Sequence, residues 1–127
     1  MRRNSLFLIV TLVVFLSPMA ASAQSTLTWV DKYPRSIVKG RIDGAIIFTL
    51  AKGDTGFKVN PTMLCFPKGG GVMKKVTMSY DKLSGWWLAT PTGLTSGVSY
   101  QVTVIATVTG ANGDYDINAK EVAVTPQ

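Results

Sequence analysis

Apolar residues in this chain recur mostly at every second position, in short runs separated by clusters of Gly, Pro, Asn and Asp. A half-buried β-strand imposes that period, because successive side chains point to opposite faces of a sheet. The clearest run is VSYQVTVIATVT, with Val98, Tyr100, Val102, Val104, Ala106 and Val108 on one parity and Ser99, Gln101, Thr103, Ile105, Thr107 and Thr109 on the other. In RIDGAIIFTLA the apolar parity is Ile42, Gly44, Ile46, Phe48 and Leu50. Further strand candidates are STLTWV, FKVNPTMLCF with a break at Pro61, VMKKVTMSY, WWLA and YDINAKEVAVT. Asn112-Gly113 predicts a tight hairpin ahead of the last of these, since both residues tolerate positive φ. Apolar parity then switches from Tyr115, Ile117 and Ala119 to Val122 and Val124, which predicts a bulge near Lys120. No segment keeps a helical period for long. About seven short strands in about 100 residues predict an all-β fold, a two-sheet antiparallel β-sandwich.

The start of the chain does not follow this pattern. Arg2 and Arg3 precede an apolar run from Leu6 to Leu16 that only Thr11 interrupts, and Ser17-Pro18 ends it. Ala21-Ser22-Ala23 then supplies the small residues that a signal peptidase accepts. Residues 1–23 are therefore expected to be a secretory signal peptide cleaved near Ala23, with residues 24–127 as one exported domain, periplasmic or extracellular. As a helix, the apolar run spans only about half of a hydrocarbon core of roughly 30 Å, so no membrane span is expected in the mature chain.

Cleavage takes Arg2 and Arg3 from the 13 basic side chains and leaves 11 against 7 acidic ones, a net charge of +4. So mild an excess favours anionic surfaces but is far from the footprint of a nucleic-acid-binding domain. Cys65 is the sole cysteine, so no disulfide forms within the chain; in TMLCFP it reads as a small buried hydrophobe, with a bond between chains as the alternative. Catalysis is poorly supplied. There is no histidine, and the carboxylates are Glu121 and six aspartates, of which Asp31, Asp43, Asp54, Asp81 and Asp114 fit turns or strand ends. Two placed carboxylates suffice for a glycosidase, yet no insertion here would build its cleft. In NGDYD, Asn112, Asp114 and Asp116 alternate like calcium ligands, but the Gly and Glu of a helix-loop-helix site would fall at Ile117 and Ala123. A non-catalytic protein without metal or cofactor is the expectation.

Leu94, Gly97 and Tyr100 in GLTSGVSYQVTVIAT lead into the longest alternating run. This spacing resembles that of fibronectin type III and related immunoglobulin-like domains, and EVAVTP resembles their last strand; the resemblance covers residues 86–126. It implies a tyrosine corner, in which the Tyr100 ring packs beneath a turn and its hydroxyl bonds to backbone upstream. The core tryptophan of the second strand in such domains is missing from AIIFTLA, where Phe48, or Trp29 from the first strand, would fill the space. The family implies binding or spacing rather than one activity.

SGWWLA places Trp86 and Trp87 side by side, so a strand sends them to opposite faces. Counting back from Leu94 on the fibronectin pattern puts Trp87 and Ala89 inside. Burying Leu88 with Trp86 is worth about 1.5–3 kcal/mol, however, and a corner lengthened at Pro91 permits it. Trp86 is therefore expected in the core and Trp87 on the outer face. There Trp87 would anchor a protein partner, stack on a sugar ring, or lie under lysine stems.

Lys68, Lys74 and Lys75 flank the Gly69-Gly70-Gly71 loop as a candidate basic patch, with Asn112 and Asp114 as further candidate contacts. Lys74 shares the parity of Val72 and Val76, a device that protects an edge strand from pairing with another molecule. The leading expectation is a secreted or periplasmic binding or structural module acting on a protein partner of the cell envelope. Two alternatives stay open: a carbohydrate-binding module for an acidic polysaccharide, and an envelope or appendage subunit that pairs by strand addition.

Overall fold

The computed structural model describes residues 23–127; the expected signal peptide lies, except for Ala23, outside the described residues. The chain forms two antiparallel sheets, built from β1 (Thr26–Trp29), β2 (Arg35–Val38), β3 (Arg41–Thr49), β4 (Gly56–Pro67), β5 (Lys74–Thr77), β6 (Ser79–Asp81), β7 (Trp86–Ala89), β8 (Tyr100–Gly110), β9 (Gly113–Asn118) and β10 (Val122–Val124). One sheet has the order β1-β3-β7-β6 with β2 also on β3, and the other β10-β8-β4-β5 with β9 also on β8. The expected all-β sandwich is present.

The ten pieces trace seven runs of chain. β1 and β2 both pair with β3, parted by a turn at Asp31-Lys32 and by Pro34, which has no N–H to donate. β9 and β10 both pair with β8 and are parted by the expected bulge. Ile105 faces Asn118, and three residues back along β8 Val102 faces Val122, four residues further on. One extra residue near Lys120 is thus absorbed, and both Ile117 and Val124 reach the core. β5 and β6 belong to different sheets and meet at Met78, which is 2% exposed and donates its N–H to the Pro61 carbonyl. Nor does Pro61 end β4; the register shifts by bulges around it, and Pro61 is buried. At the hairpin, Gly110 pairs with Gly113, so Ala111 and Asn112 form the turn and Gly113, at φ 122°, takes the positive φ.

The core uses the parities read from the sequence: Tyr100, Val102, Val104, Ala106 and Val108 of β8 face Ile42 and Ile46 of β3, with Met63, Cys65, Met78 and Ile117 between and around them. Burial without exposure pushes the Cys65 thiol up to about 11, against a weaker opposing pull from Lys74. The thiol is inert and packs as a hydrophobe.

β7 runs in the register opposite to the one expected. Trp87 packs against the core and Ala89 is buried, while Leu88 is 37% exposed on the outer side with Trp86. The reason lies across the sandwich. A Cβ on Gly44 would stand 2.5 Å from Met63 Sδ and 3.4 Å from Trp29 Cζ3, so this slice of core is already full. Gly44 pairs with Ala89. Only a small side chain fits beside it, and Leu88 is turned outward despite the burial it forgoes. Pro91 is buried like Ala89, in keeping with the simple alternate count back from Leu94. Trp29, with Nε1 donating to the Lys120 carbonyl at 2.6 Å, packs against the core, as does Phe48.

Each end of the sandwich carries a polar lock. At one, the Tyr100 hydroxyl accepts the Thr95 N–H at 2.9 Å beneath a turn where Gly97, at φ 81°, donates to the Pro126 carbonyl and Leu94 to the Gly40 carbonyl. At the other, Asp54 accepts the Ser25 hydroxyl at 2.6 Å and the Tyr115 hydroxyl, while the Ser25 N–H donates to Tyr115 Oη at 2.8 Å and the Ala51 N–H to Ser25 Oγ at 2.8 Å. These bonds, first that of Ser25 and then that of Tyr115, hold the Asp54 carboxyl below its usual range.

Two predictions follow from the locks. Tyr100→Phe deletes one bond and little packing, so it is expected to cost on the order of 1 kcal/mol, a fall in Tm of about 4–8 °C by thermal denaturation. A lowered carboxylate pKa stabilises the fold above the ordinary value of 3.8 and loses that contribution as pH falls through the folded-state pKa. Melting curves below pH 4 are accordingly expected to fall less steeply in Asp54→Asn than in the parent, with Asp81 contributing equally to both.

Candidate functional site

Because Trp87 faces inward at an edge of the sandwich, it becomes the wall of a cleft. β5 pairs with β4 only from Thr62 to Cys65, and at Met78 the chain crosses to the other sheet. The first residues of β4, Gly56 to Asn60, therefore have no hydrogen-bonded neighbour on that side. Between them and β6 lies an opening of about 350 Å³ lined by Phe48, Phe57, Tyr80, Gly85 and Trp87.

The rings form a connected set. Phe48 and Phe57 meet across the two sheets with centroids 4.0 Å apart, Phe57 is edge-on to Trp87 at 5.4 Å, and Tyr80 lies 5.2 Å from Trp87 as its cross-strand partner. Such contacts favour the positive ring edge against a negative ring face and fix each ring's orientation. Tyr80 is 52% exposed at the mouth. Gly85, at φ 76°, brings only backbone to the lining.

The turn beside the mouth is held by Asp81, whose carboxylate accepts the Ser84 hydroxyl at 2.6 Å and the Leu83 N–H at 3.4 Å while its carbonyl accepts the Gly85 N–H at 2.8 Å. The Ser84 bond is the main reason that the Asp81 carboxyl stays below its usual range. At the tip of this turn Leu83 is 99% exposed. No charged side chain lines the cleft. The chemistry it offers is apolar contact, with the Tyr80 hydroxyl as a polar group at the edge.

On the outer side, Trp86 stands edge-on to Tyr33 at 6.4 Å, and the Arg35 guanidinium lies 4.4 Å over the Tyr33 ring while donating to its hydroxyl at 2.9 Å. The expected roles of the two tryptophans are thus exchanged, Trp86 outside and Trp87 inside, though both remain half-buried. The sequence signal for this outer cluster, Tyr33 and Arg35 two apart, was there to read, but its meeting with Trp86 depends on the path of the turn between β1 and β2.

The remaining candidates stand elsewhere. Lys75 is level with Leu64 and Lys74 with Cys65, so alternation sends the two lysines to opposite faces of edge strand β5, as expected. Lys68 begins the turn after β4 and donates its N–H to the Ser99 carbonyl. Asn112 and Asp114 border a separate depression with Lys52, Asp54 and Tyr115, and Asp114 is already paired with Lys58 at 2.8 Å. None of the five lines the aromatic cleft. Phe57 and Tyr80, which do, were visible in the sequence only as strand residues, and Phe48 only as a strand residue and candidate core ring.

Among the described residues no three His, Cys, Asp or Glu side chains gather as a metal site would require, and no helix is long and apolar enough to cross a membrane. Comparison with known proteins finds no matching family model, no matching curated protein and no matching solved structure.

Proposed function

We propose that this chain is an exported, non-catalytic binding module of immunoglobulin-like or fibronectin type III-like build, and that its cleft receives an apolar side chain of a protein partner. The strand order supports the build: β1/β2-β3-β7-β6 over β9/β10-β8-β4-β5 is the arrangement of four strands on one sheet and, on the other, a three-stranded unit extended by one edge strand that such domains share. The observation that carries the binding reading is the half-exposed aromatic lining, free of charged side chains and beside the fully exposed Leu83. A sugar brings several hydroxyls that need partners, whereas a Leu, Phe or Trp side chain needs only the desolvation that these rings provide.

A second reading rests on the outer cluster. Trp86 offers a ring for stacking, and Arg35, which lies over Tyr33, offers a planar fork for a carboxylate. That combination suits an acidic polysaccharide.

The test is a parallel selection of displayed peptides and a panel of acidic glycans on the same domain. Peptides with an apolar anchor are expected, their affinity reduced about 30-fold or more by Tyr80→Ala, the loss typical of an anchor contact worth about 2 kcal/mol. Trp86→Ala should leave them unaffected. Glycan binding that disappears in Trp86→Ala, with no peptide retained, would put the second reading in place of the first.

A further inference from the structure

The outer face of the sheet β10-β8-β4-β5 is ordered in rows. Lys75, Leu64 and Thr103 stand abreast on β5, β4 and β8, and Glu121 lies beyond Thr103 on the same face. The next row is Thr77, Thr62, Ile105 and Asn118, and the one after it Val59, Thr107 and Asp116. Towards the other end, Phe66, Gln101 and Ala123 are abreast. The middle of the face is thus uncharged outside the Lys58–Asp114 pair and mostly apolar or threonine, with Gln101 as an amide and with Val59, Phe66 and Ile105 between 41% and 53% exposed. A depression of about 350 Å³ lies over Thr103, Ile105 and Thr107.

Apart from Lys58 of β4, which is neutralised by its ion pair with Asp114 of β9, charge lies at the two margins and has opposite sign on them: Lys75 on the β5 side, Asp116 and Glu121 on the β9/β10 side. Among the described residues the ion pairs are Arg41–Asp43 and Lys58–Asp114, so Lys75, Asp116 and Glu121 have no ion pair within the chain, while Asp116 accepts the Thr107 hydroxyl at 2.7 Å.

We infer that this face binds a second copy of the same chain. A two-fold axis parallel to the strands and running between β4 and β8 exchanges the margins, so β5 of one copy lies over β9/β10 of the other. Lys75 then meets Glu121 twice and the exposed Ile105 covers Thr62, while Leu64 and Thr103, already buried in each chain, lie beneath the contact. A two-fold interface must be self-complementary, and opposite charges at equal distances on either side of a neutral centre meet that condition. A heterologous acidic or basic partner would be repelled by one margin. Four strands about 4.8 Å apart and four rows about 7 Å apart enclose roughly 500 Å² per copy, roughly 1,000 Å² in all, the lower limit of a specific interface. The dimer is therefore weak and reversible. It does not depend on the aromatic cleft, which opens at another edge.

Sedimentation equilibrium of the secreted, processed protein across a micromolar to millimolar range tests this. A concentration-dependent dimer is expected, with its dissociation constant raised at least tenfold by Ile105→Glu, a change at an exposed position that leaves Tm nearly unaltered. Lys75→Glu and Glu121→Lys are each expected to weaken it, and the double variant to restore it. A monomer throughout the range overturns the inference, as does a dimer indifferent to Ile105→Glu or a double variant weaker than both single ones. Loss of the dimer in Tyr80→Ala but not in Ile105→Glu also overturns it, by placing the contact at the cleft.

Discussion

Gly44 sits where Trp29 from β1 and Met63 from β4 converge, at a distance that leaves no room for a Cβ without displacing the Met63 sulfur. Most of the functional geometry descends from this crowding. With the slice full, the residue beside Gly44 on β7 has to be Ala89, and Trp87 two positions back has to point into the sandwich. Burying Leu88 would release more free energy in isolation, but close packing penalises an extra isobutyl group in filled space by a comparable or larger amount. Local hydrophobicity therefore yields to volume.

An inward Trp87 would be an ordinary core residue if the sheets met fully along their edges. They do not, because β5 leaves β4 and passes through Met78 into β6 of the opposite sheet. The bulges around Pro61 bend β4 at the same level. Rings that the alternation sends inward are consequently left beside an opening, half-buried rather than sealed. The cleft arises from a strand changing sheets, with no insertion or long loop involved.

The two polar locks explain how so open an edge is tolerated. Tyr100 holds the corner ahead of β8 through the Thr95 N–H, Gly97 of that corner donates to the Pro126 carbonyl, and Asp54 gathers the start of β1, the turn after β3 and Tyr115 of β9. The two sheets are thus tied to each other at opposite ends, where mutually satisfied hydrogen bonds hold the chain. The middle of the molecule is free to present faces: an aromatic one between the sheets and a threonine-rich one outside.

Alternation and turn chemistry along the chain were enough for the sandwich, the inward face of β8, the bulge near Lys120 and the edge position of Lys74 and Lys75, while the corner at Tyr100 was expected only from the resemblance of Leu94, Gly97 and Tyr100 to a known pattern. About seven runs were legible, and the structure has ten strands: two runs divide at Met78 and at Ala119-Lys120-Glu121, and β2 (Arg35–Val38) lies outside every run that the alternation marked. Tertiary structure alone decided which tryptophan faces in, since that depends on volume contributed by Trp29 and Met63, distant along the chain and adjacent only after folding. It likewise decided that Phe48, Phe57, Tyr80 and Trp87 meet, and that Lys75 and Glu121 flank one face, because register between strands far apart in sequence is set by packing across the sandwich and leaves no trace in any single strand.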